Sequence, residues 1–201
     1  GDIMPRYIQP GGFVLMRVIV AFVLFNVLVL FTGRQNRINF KKDGLRLLIC
    51  ALFGTAFNML LFFHGLSKTH PINGAVLMMV TPLFVVVIDH IKLRKLPNLF
   101  TVLGFVLGSI GAVMLISGKG VSFNAETLTG DIMVAVNALF YAIYLVLVKD
   151  LFKSYSPAQV NSVNFGLGIL FMLPFGLSDL LHWDASVIAT EMWLKIAYIL
   201  V

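Results

Sequence analysis

Polar side chains recur at helical spacing inside several long apolar stretches of the sequence. Asn137, Tyr141 and Tyr144 are related by i, i+4 and i+7, so one face of a helix would carry all three. Comparable sets occur in three other stretches: Thr55 with Asn58, Met78 with Thr81, and Asn161 with Asn164 and Gly168. Facing inward, these groups would line a cavity suited to a small zwitterion or an amphipathic organic solute. The alternative is that they only hydrogen-bond across helices, each contributing less than about 2 kcal/mol.

Two charged positions within or beside the apolar stretches are further candidates. Arg17 lies seven residues after Pro10, on the order of 10 Å along a helix. One interpretation is a cation that faces a substrate or a gate, and the other is an anchor whose long side chain snorkels back to the external interface. Asp89 precedes Lys92 by three residues, which favours a local ion pair. A gate contact or a proton-coupling carboxylate is the alternative for Asp89.

Small residues repeat every four positions at Gly104, Gly108 and Ala112. This small-xxx-small spacing lets two helices approach closely in a membrane. The sequence therefore predicts a packing face, with an intramolecular partner favoured and a homodimer as the alternative.

Residues for catalysis or metal binding do not form a recognisable motif. No two of the four histidines have the i, i+4 spacing of a zinc helix, and Cys50, the only cysteine, is interpreted as a small apolar helix residue. Neither a Gly-rich phosphate loop nor a G-x-S-x-G elbow occurs. We therefore predict no catalytic residue, no metal site and no cofactor.

The composition excludes an ordinary soluble domain. Hydrophobic residues make up 59% of the 201 residues and charged residues 12%, and the mean hydropathy is +0.96. Soluble domains are roughly 45–50% apolar and about 25% charged, so the apolar excess must face lipid. The net charge of +6 resides in short loops between apolar runs, which argues against nucleic acid as a partner.

Runs free of charged residues predict the membrane-spanning helices. A bilayer core needs roughly 20 apolar residues per helix, and no alternation typical of barrel strands is present. We expect an all-α polytopic bundle with helices near 12–32, 45–65, 72–91, 98–117, 131–149 and 157–178, and a seventh beginning near 191.

The loop charges predict the orientation. Basic residues are concentrated in alternate loops, around 34–46, 92–95 and 149–153, which places those loops in the cytoplasm. The first helix then runs inward from the external side. The chain is expected to be truncated at both ends, since it opens in a loop-like segment and stops within an apolar run.

A short motif occurs twice. The stretch from Asp2 to Pro10 is echoed by the stretch from Asp150 to Pro157: an acidic residue, two apolar residues, a base, a Tyr and a Pro precede a long apolar helix. One helix later, Leu45-Arg46-Leu47 matches Leu194-Lys195-Ile196. Five predicted crossings separate the copies, so the repeat would be inverted, an arrangement characteristic of secondary transporters.

These features resemble the EamA-type permeases of the drug/metabolite transporter superfamily. The resemblance is carried by the Pro-led first helix with its early Arg17, by Thr81-Pro82-Leu83-Phe84, by the Gly-rich stretch 104–112, and by the segment from Gly130-Asp131 to Lys149-Asp150-Leu151. It implies inverted five-helix repeats: residues 1–120 as a first repeat lacking one helix, and 121–201 as a second repeat truncated in its third helix. Arg94 stands where the family usually has an acidic residue, which puts any ion pair there in doubt.

The expected function is transport of a small organic solute, such as an amino acid or drug-like metabolite, by alternating access. The expected location is the plasma (inner) membrane, as a multi-pass protein whose partners are the lipid bilayer and the solute. A membrane-embedded lipid-modifying enzyme and a non-transporting scaffold are the alternatives. Ionisable groups scattered over the loop ends weigh against the enzyme.

Overall fold

The helical architecture predicted from the sequence is confirmed. The computed structural model describes residues 10–32, 36–94, 98–118 and 125–181, and every regular element in these ranges is helical. The elements are α1 (Pro10–Thr32), α2 (Phe40–Ala51), a π-helical segment (Leu52–Ala56), α3 (Phe57–Leu66), α4 (Pro71–Met78), α5 (Thr81–Leu93), α6 (Leu99–Gly118), α7 (Leu128–Leu151) and α8 (Pro157–Leu181).

Within the described ranges, five segments are long and apolar enough to cross a membrane. They are Gly11–Phe31, Phe40–Leu66, Pro71–Leu93, Leu128–Leu151 and Pro157–Leu181. The chain is thus a polytopic helical membrane protein. The helix predicted near residue 191 and the first copy of the repeated motif, up to residue 9, lie outside the described residues.

The second span begins earlier than its apolar run. Asn39 caps α2, its side-chain oxygen accepting the backbone N–H groups of Lys41 and Lys42 at 3.1 and 3.2 Å. This cap satisfies amide groups that would otherwise lack partners, so the polar first turn is helical and the predicted start at 45 was five residues late. Pro71 and Pro157 begin α4 and α8, where a missing amide hydrogen costs nothing.

Two spans are interrupted near their midpoints. The π-helical segment divides α2 from α3, and a turn at Met79 and Val80 divides α4 from α5. Two backbone hydrogen bonds between residues three apart close that turn. Met79 N–H donates to the Val76 carbonyl oxygen at 3.1 Å, and Val80 N–H donates to the Leu77 carbonyl oxygen at 3.2 Å. Non-α backbone at membrane depth is tolerated where protein or a water-lined cavity surrounds it. Both interruptions therefore indicate backbone that is surrounded by protein or that lines a cavity. The apolar pattern of the sequence did not predict either of them.

The described residues belong to two compact units. Unit 1 takes its residues from Gly1–Leu60 and Leu147–Val201, and unit 2 is Leu61–Val146. Each unit thus combines residues from both sides of the repeat boundary placed at 120. That boundary stays a prediction.

In unit 1, α8 packs antiparallel along α1 through glycines. A Cβ on Gly176 would lie 2.6 Å from the Gly11 carbonyl oxygen and 2.8 Å from Leu15 Cβ. Nearer the other end of the pair, the rings of Phe25 and Phe165 stack with centroids 5.5 Å apart. The absence of a side chain on Gly176 is therefore what allows the two backbones to approach.

Hydrogen bonds join the loops at the predicted cytoplasmic end of unit 1; we call this set the loop seam. Tyr155 donates its hydroxyl hydrogen to Asp43 Oδ2 at 2.7 Å and accepts the Asn39 backbone N–H at 3.2 Å. Asn36 Nδ2 donates to the Ser154 carbonyl oxygen at 2.9 Å. Because Asp43 and Tyr155 are both buried, these bonds satisfy a carboxylate and a hydroxyl away from water. The loop seam fixes the start of α2 to the connection before α8.

Two alanine substitutions test the glycine contact. Gly176→Ala should lower the free energy of unfolding by about 1–3 kcal/mol, because the new methyl meets backbone and forces α1 and α8 apart. Gly44→Ala is the matched control: its Cβ would meet only Phe40 Cβ at 3.9 Å, so it should stabilise α2 by about 0.5–1 kcal/mol. Thermal unfolding of the detergent-solubilised protein measures both. Equal midpoints for the two variants would contradict the close approach.

Candidate functional site

A buried carboxylate anchors the start of α7 in unit 2. Asp131 is 5% exposed and accepts hydrogen bonds from the hydroxyl of Thr69, from Thr127 Oγ1 at 2.9 Å and from Asn73 Nδ2 at 3.2 Å. Thr69 and Asn73 flank the start of α4, so these bonds fix α7 to the α3–α4 connection. The neighbouring Gly130 packs against backbone, a Cβ there lying 2.7 Å from the Gly65 oxygen.

A second contact lies near the middle of α7, beside the break between α4 and α5. Asn137 Nδ2 donates to Met78 Sδ at 3.2 Å, while Asn137 Oδ1 has no hydrogen-bond partner among the described residues. Thr81, the first residue of α5, is 6% exposed, and its hydroxyl also lacks a partner within the described ranges. The spacing-based prediction selected all three residues, and the structure brings Met78 and Asn137 into contact.

Leaving buried polar atoms unpaired is costly, about 1–3 kcal/mol for each group. Most buried polar groups in native proteins are hydrogen-bonded, so an exception needs an explanation, and binding of a ligand is one. At a rise of 1.5 Å per residue, Asn137 lies about 4 Å from the midpoint of the span Leu128–Leu151. Thr81 lies about 2 Å from the midpoint of the span Pro71–Leu93. Binding groups near the bilayer midplane, at a discontinuous helix, are the arrangement found in secondary transporters.

Aromatic side chains follow Asn137 on the same helix. Tyr141 and Tyr144 stack with ring centroids 5.8 Å apart and planes inclined by 23°. Both rings are half-buried. They place an aromatic surface one to two turns from the Asn137 amide on the same helix.

Unit 1 holds a comparable polar position. Asn164 on α8 is 2% exposed, and neither its amide nitrogen nor its amide oxygen has a hydrogen-bond partner among the described residues. One turn later, a Cβ on Gly168 would lie 2.5 Å from Cγ2 of Thr55, which is buried in the π-helical segment. π-helical segments occur frequently at functional sites. Thr55, Asn164 and Gly168 thus form the second candidate cluster, within unit 1.

The remaining predicted cavity residues are less informative. Arg17 on α1 and Asn58 on α3 are both half-buried. For Arg17, the substrate-facing and snorkelling interpretations both remain open.

At the end of α5, Lys92 Nζ donates to the Val146 carbonyl oxygen at 3.2 Å. This bond fixes the end of α5 to α7, a role that the i, i+3 spacing did not suggest. The ion pair between Lys92 and Asp89 stays a prediction. Arg94 ends α5 in the left-handed conformation, with φ of 50°.

The predicted packing face on α6 is not close-packed at its described glycines. Among the described residues, a Cβ on Gly104 would meet no atom within 4 Å, and one on Gly108 would lie 3.7 Å from Leu83 Cδ2, an ordinary contact. The side chain of Ala112 lies outside the described set. A homodimer through this face stays a prediction.

Sequence reasoning missed two features. The first is the set of hydrogen bonds at Asp131, a residue that the sequence analysis includes only in the family resemblance. Its partners Thr69 and Asn73 are far away in the chain. Only Thr127, four residues before Asp131, was a local signal for these bonds. The second missed feature is a pocket in unit 1 of about 400 Å³, with Arg37 in its lining.

Comparison with known proteins gives a consistent family. The model of the EamA-like transporter family matches residues 1–117. The uncharacterized transporter YyaM of Bacillus subtilis is 24% identical over 96% of this chain and 64% of its own length. An uncharacterized transporter of Methanothermobacter thermautotrophicus is 29% identical over 69% of this chain and 42% of its own length.

A crystal structure has the same fold. It aligns with 94% of this chain and 64% of its own chain, with a TM-score of 0.68 at 18% identity. The chain therefore spans about two thirds or less of the proteins that it matches.

The unpartnered amide of Asn164 yields a stability test. If this group serves a ligand and not the fold, Asn164→Leu should keep or raise the free energy of unfolding, by about 1 kcal/mol, because an unsatisfied buried amide is removed. A gain of that size raises the melting temperature by about 2–4 °C. Asp131→Leu is the contrasting variant and should destabilise, since it strands the donors of Thr69, Thr127 and Asn73. Strong destabilisation by Asn164→Leu would show that the amide acts as interhelical glue.

Proposed function

Because the chain belongs to the EamA-like transporter family, we propose that the protein is a secondary transporter that moves a small organic solute across the plasma membrane by alternating access. The observation that carries the proposal lies within unit 2. The unpartnered polar atoms of Thr81 and Asn137 occur where a membrane span is broken near its midpoint.

The chemistry of the unpartnered groups indicates the class of solute. Within unit 2, Asn137 offers an amide oxygen and Thr81 a hydroxyl. Both groups are neutral, and the stacked rings of Tyr141 and Tyr144 add an aromatic surface. Together with the aromatic surface, this set favours a neutral or zwitterionic organic solute with an apolar part, such as an amino acid.

The same groups favour transport over a reaction. An amide and an isolated hydroxyl bind solutes well, but neither Thr81 nor Asn137 is a titratable acid or base near neutral pH. A lipid-modifying enzyme needs a nucleophile or a proton-transfer group aimed at the bond that breaks. The buried carboxylate of Asp131 already accepts hydrogen bonds from three side chains at the start of α7.

The helix breaks supply a physical basis for conformational change. Pro82 has no amide hydrogen and cannot donate to the Met78 carbonyl four residues earlier, so α4 and α5 are held together more weakly than two turns of one helix. Bending at this turn would change access to Thr81 and Asn137 at little cost in backbone hydrogen bonds. A solute or proton gradient would drive the cycle.

Flux measurements on the full-length protein test the proposal. Reconstituted in liposomes and offered a panel of labelled amino acids and other small metabolites, the wild type should exceed empty vesicles for at least one solute. Thr81→Val, which keeps the side-chain shape, should reduce that flux about tenfold, since one hydrogen bond to a ligand in a buried site is worth about that factor. Thr129→Val is the matched control, because Thr129 is exposed at the start of α7.

The possible failures are distinguishable. Wild-type flux no faster than that of empty vesicles over the whole panel would reject transport of this solute class. Flux that is unchanged in both Thr81→Val and Asn137→Leu would leave transport standing and reject the site.

A further inference from the structure

A pocket lies at the predicted cytoplasmic end of unit 1, away from the span midpoints. Its volume of about 400 Å³ is within the range of roughly 300–1,000 Å³ typical of small-molecule sites. The last turns of α1, the loop before α2 and the first two turns of α8 form its walls. The lining residues are Asn26, Val29, Arg37, Ile38, Phe40, Gln159, Ser162 and Val163.

The lining divides into a polar and an apolar group. Arg37 is the only charged residue among the described lining residues, and Asn26, Gln159 and Ser162 add neutral polar groups. Gln159 is already engaged: its amide nitrogen donates to the Asn36 carbonyl oxygen at 3.0 Å, and its amide oxygen accepts from Ser156. Asn26 Nδ2 donates to the Phe22 carbonyl oxygen at 2.8 Å. The guanidinium of Arg37, an exposed residue, and the hydroxyl of Ser162 have no hydrogen-bond partner among the described residues and are available to a ligand. Four apolar side chains complete the wall: Val29, Ile38, Phe40 and Val163.

The local charge favours an anion. The helices α2 and α8 both begin beside the pocket, and helix N-termini carry a partial positive charge. The described acids at this end are engaged elsewhere: Asp43 accepts the Tyr155 hydroxyl, and Asp150 pairs with Lys153 at 2.9 Å and with Arg46 at 4.0 Å. The exposed Lys41 and Lys42 add positive charge outside the lining.

We propose that this pocket binds the oxyanion head of an amphiphile, a phosphate ester with an attached hydrocarbon portion. Arg37 would bind the oxyanion through its planar fork of N–H groups, a geometry that matches phosphate. Ser162 would donate its hydroxyl hydrogen to the same group. The apolar wall, with Phe40 61% exposed, would cover the hydrocarbon part.

Such a ligand has two sources at this depth. Phospholipids of the cytoplasmic leaflet present anionic headgroups there, and a soluble alkyl phosphate would enter from water. The chemistry at Arg37 is the same for both, so binding measurements must separate them. Since this site is distinct from the midspan residues, binding here stands or falls separately from the proposed transport function.

Two binding arms on the purified full-length protein in detergent micelles test the proposal. In the lipid arm, native mass spectrometry counts retained phosphatidylglycerol against phosphatidylcholine. In the soluble arm, calorimetry measures hexyl phosphate. We expect at least one probe to bind the wild type, and Arg37→Gln to weaken that probe about tenfold, the effect of losing a charge-assisted contact. Ser162→Ala should weaken it less, by several-fold.

Lys41→Gln is the matched control, since it removes the same charge from the same segment but lies outside the lining. It should change binding by less than about twofold, as expected for an exposed charge. A response in the lipid arm alone assigns the ligand to the bilayer, and a response in the soluble arm assigns it to the cytoplasm. Binding of neither probe, or equal weakening by Arg37→Gln and Lys41→Gln at unchanged melting temperature, overturns the proposal.

Discussion

A polar group buried in protein or in hydrocarbon has no water to bind, so the protein itself must satisfy it. Most of the described structure follows from this constraint. Asp131 gathers three donors at one end of α7, Lys92 reaches a carbonyl oxygen near the other, and Tyr155 satisfies Asp43 in the loop seam. The described exceptions at Thr81 and Asn137 adjoin the turn where α4 gives way to α5. Unsatisfied groups and interrupted backbone thus occur together in unit 2, and this coincidence is the observation on which the proposed binding site rests.

The contacts of unit 1 constrain how the protein can move. Gly12 N–H donates to Asp179 Oδ2 at 3.2 Å, and Gly176 packs on the Gly11 backbone, so α1 and α8 are joined at one end. The loop seam joins α2 to the connection before α8 at the opposite end. Any conformational change that keeps these bonds moves the three helices as one body. The repeated motif gains a physical meaning here, because its Lys153, Tyr155 and Pro157 respectively pair with Asp150, bind Asp43 and begin α8.

The sequence predicted those parts of the fold that depend on local patterns. Long apolar runs predicted the helices of the described ranges to within about five residues at each end, because burial in lipid needs only length and hydropathy. The start of α2 at Phe40 was not predicted, because the polar residues of its first turn do not extend the apolar run. The hydrogen bonds from the Asn39 cap stabilise that turn as helix. The break at Met79 was not predicted either, because its residues are apolar and only Pro82 marks it. Residue type and helical spacing selected Thr81, Asn137 and Asn164 as candidates. The sequence around each residue could not show whether its polar atoms have hydrogen-bond partners, because those partners would come from neighbouring helices.

The glycines show most clearly why the remainder needed a structure. A four-residue spacing predicted close packing at Gly104 and Gly108, and that face stays a prediction: among the described residues, a methyl group at Gly104 would meet no atom within 4 Å. The close approaches occur at Gly176, Gly168 and Gly130, where an added Cβ would lie 2.5–2.7 Å from a neighbouring atom. Spacing along one helix defines a face, whereas a close approach is a property of two helices. The partners of Gly176 and Gly130 are backbone atoms at Gly11 and Gly65, far away in the chain. A sequence read as separate spans contains the small residues but not the pairing that makes them necessary.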